Sequence, residues 1–374
     1  MQLLLRLHHI ALTHFKNYRQ TEFDFSGRII GISGPNGIGK TNLLDAIHYL
    51  CFSRSYFTRT ESRNVQQGME GFRLSGDFSM NGETIAVTCI LREGGRKEML
   101  WNSEKYEKFS LHIGRLPCVV IAPDDVYIIA SASEERRRFL DTLIAQLNPA
   151  YLRELIDYNK ILQQRNSYLR NLTGMSADHR LLDVYDNQLS TLGSSIFIHR
   201  QNFLQDFIPE VQRNYSRIAG KSEPVELLYR SQAREGDLFR QLGASRQKDI
   251  LTRRSNTGVH KDDLEILLDG QPFKGHASQG QRKSLLFALK LSEFGFLKKF
   301  KGFSPLLLLD DIFEKLDEER MKNLLQTVCH EHDGQIFITD THAGRIEQHI
   351  QPLGMDMQSL ALPDTTSSLS SFNV

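Results

Sequence analysis

Nothing in this chain narrows its possible folds as much as the stretch from Gly34 to Thr41. Gly34-Pro35-Asn36-Gly37-Ile38-Gly39-Lys40-Thr41 fits the phosphate-binding pattern G-x-x-x-x-G-K-[ST]. The β-branched run Ile29-Ile30-Gly31-Ile32-Ser33 before it predicts a strand, and Asn42-Leu43-Leu44-Asp45-Ala46-Ile47 after it has the apolar spacing of a helix. The glycines let the backbone wrap a phosphate without Cβ clashes, so that successive N–H groups point inward. The new helix adds its positive N-terminal end. In such a loop Lys40 reaches the β- and γ-phosphates and the Thr41 hydroxyl binds Mg²⁺. A glycine-rich turn matching by chance would have to account for the strand and the helix as well.

A chain of 374 residues exceeds one typical core, so two lobes are expected. With 40% hydrophobic and 24% charged residues the composition is that of an ordinary soluble globular protein. A net charge of +1 argues neither for nor against a polyanionic partner. Cys51, Cys89, Cys118 and Cys329 are scattered, with no C-x-x-C pair, and read as reduced structural thiols of a cytosolic protein. The N-terminal Leu3-Leu4-Leu5 turns polar too soon for a signal peptide, and no apolar run reaches membrane-spanning length. The expected setting is cytoplasmic.

Before the phosphate loop, Leu3 to Leu12 and Tyr18 to Phe25 read as two strands joined through Phe15-Lys16-Asn17-Tyr18. Beyond it, Phe72 to Phe78, Thr84 to Leu91 and Glu98 to Trp101 alternate, broken by Asn81-Gly82 and Gly94-Gly95, which predicts an antiparallel hairpin sheet beside the loop. Gln66-Gln67-Gly68 precedes it in a segment too polar for a core. Cys118-Val119-Val120-Ile121 reads as a short buried strand ending in Ala122-Pro123-Asp124-Asp125.

From Glu134 to about Arg217 the pattern is helical. Glu134-Glu135-Arg136-Arg137-Arg138 opens one helix with acids in its first turn, where the dipole favours them. The bases between 115 and 260 are nearly all arginine, the preferred residue for phosphate contacts. They mark either a nucleic-acid surface or a solvated helical face. Arg136, Arg137 and Arg138 are candidates for the former, or for salt bridges to Glu134, Glu135 or Asp141 at helical spacing.

Gly258-Val259-His260-Lys261-Asp262-Asp263 leads into an alternating strand, Leu264 to Leu268. Ala277-Ser278-Gln279-Gly280-Gln281 then opens a helix, where Ser278 serves as an N-cap or as part of an anion site. Pro305-Leu306-Leu307-Leu308-Leu309 is apolar on both faces, as in a parallel sheet, and ends in Asp310-Asp311, where α/β sheets bind ligands. Asp310 is the expected direct or outer Mg²⁺ ligand, partner of Thr41, and Asp311 can position or deprotonate a water. Gln335 to Thr339 reads as a further strand, ending in Asp340-Thr341-His342. The Ser/Thr-rich tail from Pro363 reads as disordered.

A P-loop near residue 40, Ser278-Gln279-Gly280-Gln281 and Leu308-Leu309-Asp310-Asp311 together resemble the ATP-binding-cassette ATPases, and their wide separation resembles the SMC-related group. Within that group the chain resembles the RecF family from residue 3 to about 345. The resemblance runs through Phe15-Lys16-Asn17-Tyr18, the P-loop to Asn42, Pro123-Asp124-Asp125, Arg136-Arg137-Arg138-Phe139-Leu140-Asp141, Gln164-Arg165-Asn166, Gly258 to Asp263 and Ala277 to Gln281. It implies an α/β, SMC-like ATPase head with a mixed sheet plus an antiparallel sheet and a second, mainly helical lobe. The division expected is 1–122 with 300–374 for the ATPase lobe, and 123–299 for the helical lobe carrying the signature motif.

The resemblance further implies a cytoplasmic DNA-binding ATPase of recombinational repair that uses ATP and Mg²⁺. Such proteins dimerise with ATP on DNA near single-strand/duplex boundaries, help load RecA together with RecO and RecR, and support replication restart and the SOS response. It implies that Ser278, Gly280 and Gln281 of one subunit close on the γ-phosphate held by Lys40 of the other. Gln66 would link the nucleotide and Mg²⁺ to the helical lobe, and Lys16 and Asn17 would lie near the adenine or ribose.

Two departures stand out. Ser131-Ala132-Ser133 replaces a Gly-x-Pro common in the family, so the turn there is expected to differ. His342 can imitate the switch histidine of transporter cassettes, which RecF-like chains commonly lack. Other SMC-like or overcoming-lysogenization-like ATPases are the main alternative. The missing heptad arms argue against an SMC proper, and the lack of a carboxylate-rich domain after 345 argues against an appended nuclease. A small-molecule P-loop kinase would leave the Ser278 motif unexplained.

Overall fold

The computed structural model describes residues 4–172, 177–219, 223–313, 318–330 and 333–362. The tail from Pro363 lies outside the described residues. The chain forms two compact units: 1–125 with 217–220 and 279–374, and 126–216 with 221–278.

The first unit is organised by a five-stranded sheet in the order Met357–Ala361, Ile29–Ser33, Ile336–Asp340, Leu306–Leu309, Cys118–Ile121, with every pairing parallel. Every residue of the four strands other than Met357–Ala361 is buried, which accounts for their mainly apolar sequences, with Ser33, Thr339 and Asp340 at the C-terminal ends. Parallel pairing brings their C-terminal ends to one edge, where Ser33 is in register with Asp340. Gly31 leaves room for the last strand: a Cβ there would lie 2.8 Å from the Met357 sulfur.

The antiparallel strands form their own sheet, ordered Tyr18–Asp24, Leu5–Phe15, Phe72–Met80, Glu83–Leu91, Lys97–Trp101, Glu104–Lys105. Asn81-Gly82 is one of its two-residue turns, with φ of 57° and 85°, the left-handed pair that such a hairpin needs. Phe15, Tyr49 and Phe72 pack edge to face beneath it, at 5.2 to 6.0 Å. Gln335 joins the two sheets, accepting from Leu7 N at 2.7 Å and donating to Leu7 O at 2.9 Å.

The second unit holds the helices Ser133–Leu147, Pro149–Asn171, most of His179–Ala219, and Leu238–Thr252. It also has a three-stranded antiparallel sheet of Gln271–Pro272, Asp263–Leu268 and Val225–Arg230. Two arginines are fully enclosed within it. Arg165 bonds Asp186 and Asp249, each at 2.8 Å, and Arg200 bonds Asp141 and Asp262 at 2.8 and 2.9 Å.

The helix Gln279–Lys301 falls in the first unit, not in a helical lobe of 123–299. Its residues from Ser284 to Phe294 are all buried, and it packs on the strand Cys118–Ile121. Ser284, Lys290, Ser292 and Glu293 are buried there among leucines and phenylalanines, so polar groups are enclosed along with the apolar ones. No disulfide joins the four cysteines, all of which are buried. Among the described residues, no helix is long and apolar enough to cross a membrane.

A candidate nucleotide site

The phosphate loop leaves the C-terminal end of strand Ile29–Ser33 and feeds the helix Lys40–Phe52. Gly34, Gly37 and Gly39 have φ of 154°, 81° and 122°, a region that side chains with a Cβ rarely enter. At Gly39 space is short as well: a Cβ would lie 2.6 Å from Asn17 Nδ2 and 2.8 Å from the Tyr18 hydroxyl. Those groups clamp the loop from behind. Asn17 Nδ2 donates to Ile38 O at 2.8 Å, Tyr18 OH donates to Gly39 O at 3.0 Å, and Asn42 Nδ2 donates to Asn17 Oδ1 at 2.7 Å. Lys40 folds over the loop, donating to Gly34 O at 2.6 Å and Pro35 O at 3.0 Å.

The Thr41 hydroxyl lies 3.0 Å from each carboxylate oxygen of Asp310. Thr339, one strand over, donates to Asp310 Oδ1 at 2.8 Å and accepts from Asp311 N at 2.9 Å, so one hydroxyl fixes both acidic residues. Burial pushes the Asp310 carboxyl above its ordinary range, and the Thr339 and Thr41 hydrogen bonds oppose that rise. Asp311 sits in the left-handed region at φ 48°. Gln66 is tied by its backbone to His14 O at 2.8 Å, yet its buried amide oxygen has no hydrogen-bond partner among the described residues. A buried acceptor without a donor costs about 1–3 kcal/mol, which a bound polar group or cation relieves.

These residues fit a Mg²⁺–nucleotide. The Thr41 hydroxyl and the Asp310 carboxylate are hard oxygen donors held side by side, and Mg²⁺ takes one or two carboxylates together with phosphate oxygens. Among the described residues no group of three or more His, Cys, Asp or Glu is arranged to hold a metal alone.

The structure therefore brings Gly34 to Asn42, Asn17 and Asp310 together. Lys16 is engaged elsewhere: its ammonium is 2.5 Å from the fully buried Asp45 and faces the rings of Phe15 and Phe57. Ser278 is exposed immediately before the helix Gln279–Lys301, with Gly280 and Gln281 in its first turn. His342 is exposed, and its backbone N donates to Asp340 at 2.7 Å to start the helix Ala343–Ile350. Sequence reasoning missed Thr339 and the role of Tyr18, although each sits in a stretch it singled out.

In the second unit, Arg136 pairs with both oxygens of Asp263 at 2.7 and 2.9 Å, and Arg137 donates to Asp262 O at 2.5 Å. Arg138 bonds Glu135 at 3.0 Å and Glu134 at 3.3 Å, the helical-spacing alternative.

Residues 6–361 match the RecF/RecN/SMC N terminal domain. The DNA replication and repair protein RecF of Flavobacterium johnsoniae is 42% identical over 344 residues, spanning 92% of this chain and 96% of the relative. Its counterpart from Bacteroides thetaiotaomicron is 39% identical over 351 residues, spanning 94% and 95%. Among solved structures, the recombination mediator protein RecF-ATPrS in the RecFOR pathway superposes with a TM-score of 0.84 at 29% identity, covering 91% of this chain and 94% of the other. The Pyrococcus furiosus Smc head domain, at TM-score 0.53 and 16% identity over 96% and 94%, shares the fold alone. The fold is thus the α/β P-loop ATPase head of the SMC type, and the chain belongs to the RecF family.

Proposed function

We propose that the chain is an ATP-driven DNA-binding switch of recombinational repair. The observation that carries this reading is the shared edge of the parallel sheet, where the Lys40 loop, the Thr41–Asp310 pair and Thr339 converge. Solved RecF structures with ATP and ATPrS in the RecFOR pathway support ATP as its nucleotide. Gly34 to Gly39 cradle the phosphates through backbone N–H groups, and Lys40 supplies positive charge to the β- and γ-phosphates. Thr41, Asp310 and Gln66 hold Mg²⁺, whose chemistry is to neutralise charge on the phosphate oxygens. Asp311 orients the attacking water or takes its proton. With that carboxylate one methylene shorter than a glutamate, hydrolysis is slow and serves as a switch.

Ser278, Gly280 and Gln281 complete the site of a second copy, so that ATP drives dimerisation. The dimer binds DNA near single-strand/duplex boundaries in the cytoplasm, where RecO and RecR are its partners in loading RecA, in replication restart and in the SOS response.

Light scattering with and without ATP, each with and without gapped DNA, tests this. The wild type doubles in mass with ATP and retains DNA only then. Lys40→Met loses both responses, whereas Ser278→Arg binds ATP and stays monomeric. An ATP-dependent dimer surviving in Ser278→Arg removes the shared site, and fast turnover without DNA favours a kinase.

A further inference from the structure

Behind the phosphate loop lies a buried polar chain that catalysis does not use. The Lys16 ammonium is 2.5 Å from Asp45, whose oxygens also accept from Ser55 Oγ at 2.6 Å and from Tyr56 N at 2.7 Å. The Tyr56 hydroxyl donates in a short hydrogen bond to Asp125 and accepts from Lys290 Nζ at 3.2 Å. Lys290 also lies 3.9 Å from Asp125 and 3.5 Å from Glu293. Lys290, Glu293 and Asp125 are 4%, 4% and 7% exposed.

Such a cluster is an expensive way to hold a fold. Desolvating three ionised groups costs several kcal/mol each, and apolar residues of similar volume usually serve stability as well or better. Its position is informative. Asp125 is the residue at which the chain leaves the first unit, and Lys290 is on the helix that begins where the chain re-enters it. At the other end Lys16 precedes Asn17 and Tyr18, which clamp Ile38 and Gly39 of the phosphate loop. A shift of the loop on filling therefore has a path of hydrogen bonds and ion pairs, joined covalently at Lys16–Asn17 and through the Tyr56 side chain, by which to reach these two crossings.

We propose that Tyr56, Asp125 and Lys290 are positioning residues that couple the filling of the phosphate loop to the first and last of the four points where the chain passes between its compact units. This rests on the nucleotide-binding reading of the loop. Lys290 stays charged: burial lowers its pKa, and Asp125 and Glu293 more than restore it. Burial raises the Glu293 carboxyl, against the pull of Lys290.

Hydrogen–deuterium exchange on the full chain tests the coupling, with adenosine 5′-thiotriphosphate as probe and at a concentration where light scattering shows a monomer. In the wild type the nucleotide slows exchange in 34–43 and also in 122–131 and 277–291. In Lys290→Met and in Tyr56→Phe, the milder change, the slowing in 34–43 and the nucleotide affinity are kept while the slowing at both crossings is lost. If both variants melt earlier yet protect the crossings as the wild type does, the cluster is structural and the proposal falls. A wild type with no slowing in 34–43 overturns the nucleotide site itself, and the coupling with it.

Discussion

Asp311 holds a backbone conformation that aspartate and asparagine tolerate and β-branched residues do not, with φ at 48°. Its N–H is anchored on Thr339, so the carboxylate is presented by a fixed turn rather than a mobile loop. Asp311→Asn preserves that turn and removes the carboxylate proposed to act as base. Phosphate release should fall by about 10²-fold or more while ATP affinity is kept, from a wild-type rate below the roughly 10 s⁻¹ enzyme median. Undiminished release in Asp311→Asn would assign the water to another residue. Thr339 makes a separate prediction. Thr339→Val keeps volume but leaves Asp310 Oδ1 and Asp311 N each short of a bond, at a cost of about 1–3 kcal/mol. Denaturant unfolding of the variant checks it.

The helix Ser133–Leu147 shows how an element changes the meaning of a motif. Arg136 and Arg137 face Asp263 and Asp262, acids more than a hundred residues away, and Arg138 pairs within its own helix. Arg136→Ala should then destabilise the second unit by about 2 kcal/mol, the order of a hydrogen-bonded charge. It should leave the slope of log DNA affinity against log salt unchanged. A slope flattened by about one unit would put Arg136 on a phosphate instead. No sequence pattern links residues 136 and 263, and this is why the arginine cluster read equally well as a DNA surface. What was legible was local. The P-loop, the four leucines before Asp310 and the hairpin breaks at Asn81-Gly82 each act over a few residues, and each formed where expected. Val225–Arg230 alternates buried and exposed residues but hid among helices, and Met357–Ala361 is a half-exposed edge strand with no apolar run to announce it. The helix after Ser278 did carry a signal in Leu285-Leu286-Phe287-Ala288-Leu289, an apolar run that calls for burial. The expected domain boundary followed helical content instead.

For the molecule as a whole, acid is the condition that should part folding from charge pairing. In the first unit His48 and His112 are enclosed, and burial lowers their pKa from the usual 6.5 to about 3 and about 4. His112 is held by Leu50 O at 2.7 Å and sits edge-on to Trp101 at 6.0 Å. Because the folded values lie below the unfolded one, the unfolded chain binds more protons once the pH drops under about 6.5. Stability must therefore fall with pH from there down to about 4, by about 1.4 kcal/mol per pH unit for each histidine. The Asp333 carboxylate acts later. The Lys298 and Ser304 hydrogen bonds outweigh burial and hold Asp333 at about 2, so its contribution is present above 3.8 and is lost only as the pH falls toward 2. Histidines should thus begin to lower stability before the Lys298–Asp333 pair breaks. The chain's single tryptophan, Trp101, lies in the first unit and reports its unfolding separately from the second. Denaturant titrations followed by that fluorescence at pH 7, 6 and 5 should show midpoints falling steadily. His112→Phe starts less stable, because Leu50 O loses its donor, but its pH slope should be shallower by about one proton. A variant slope equal to that of the wild type would mean that His112 takes up its proton in the folded state, and the acid limit would then belong to other groups.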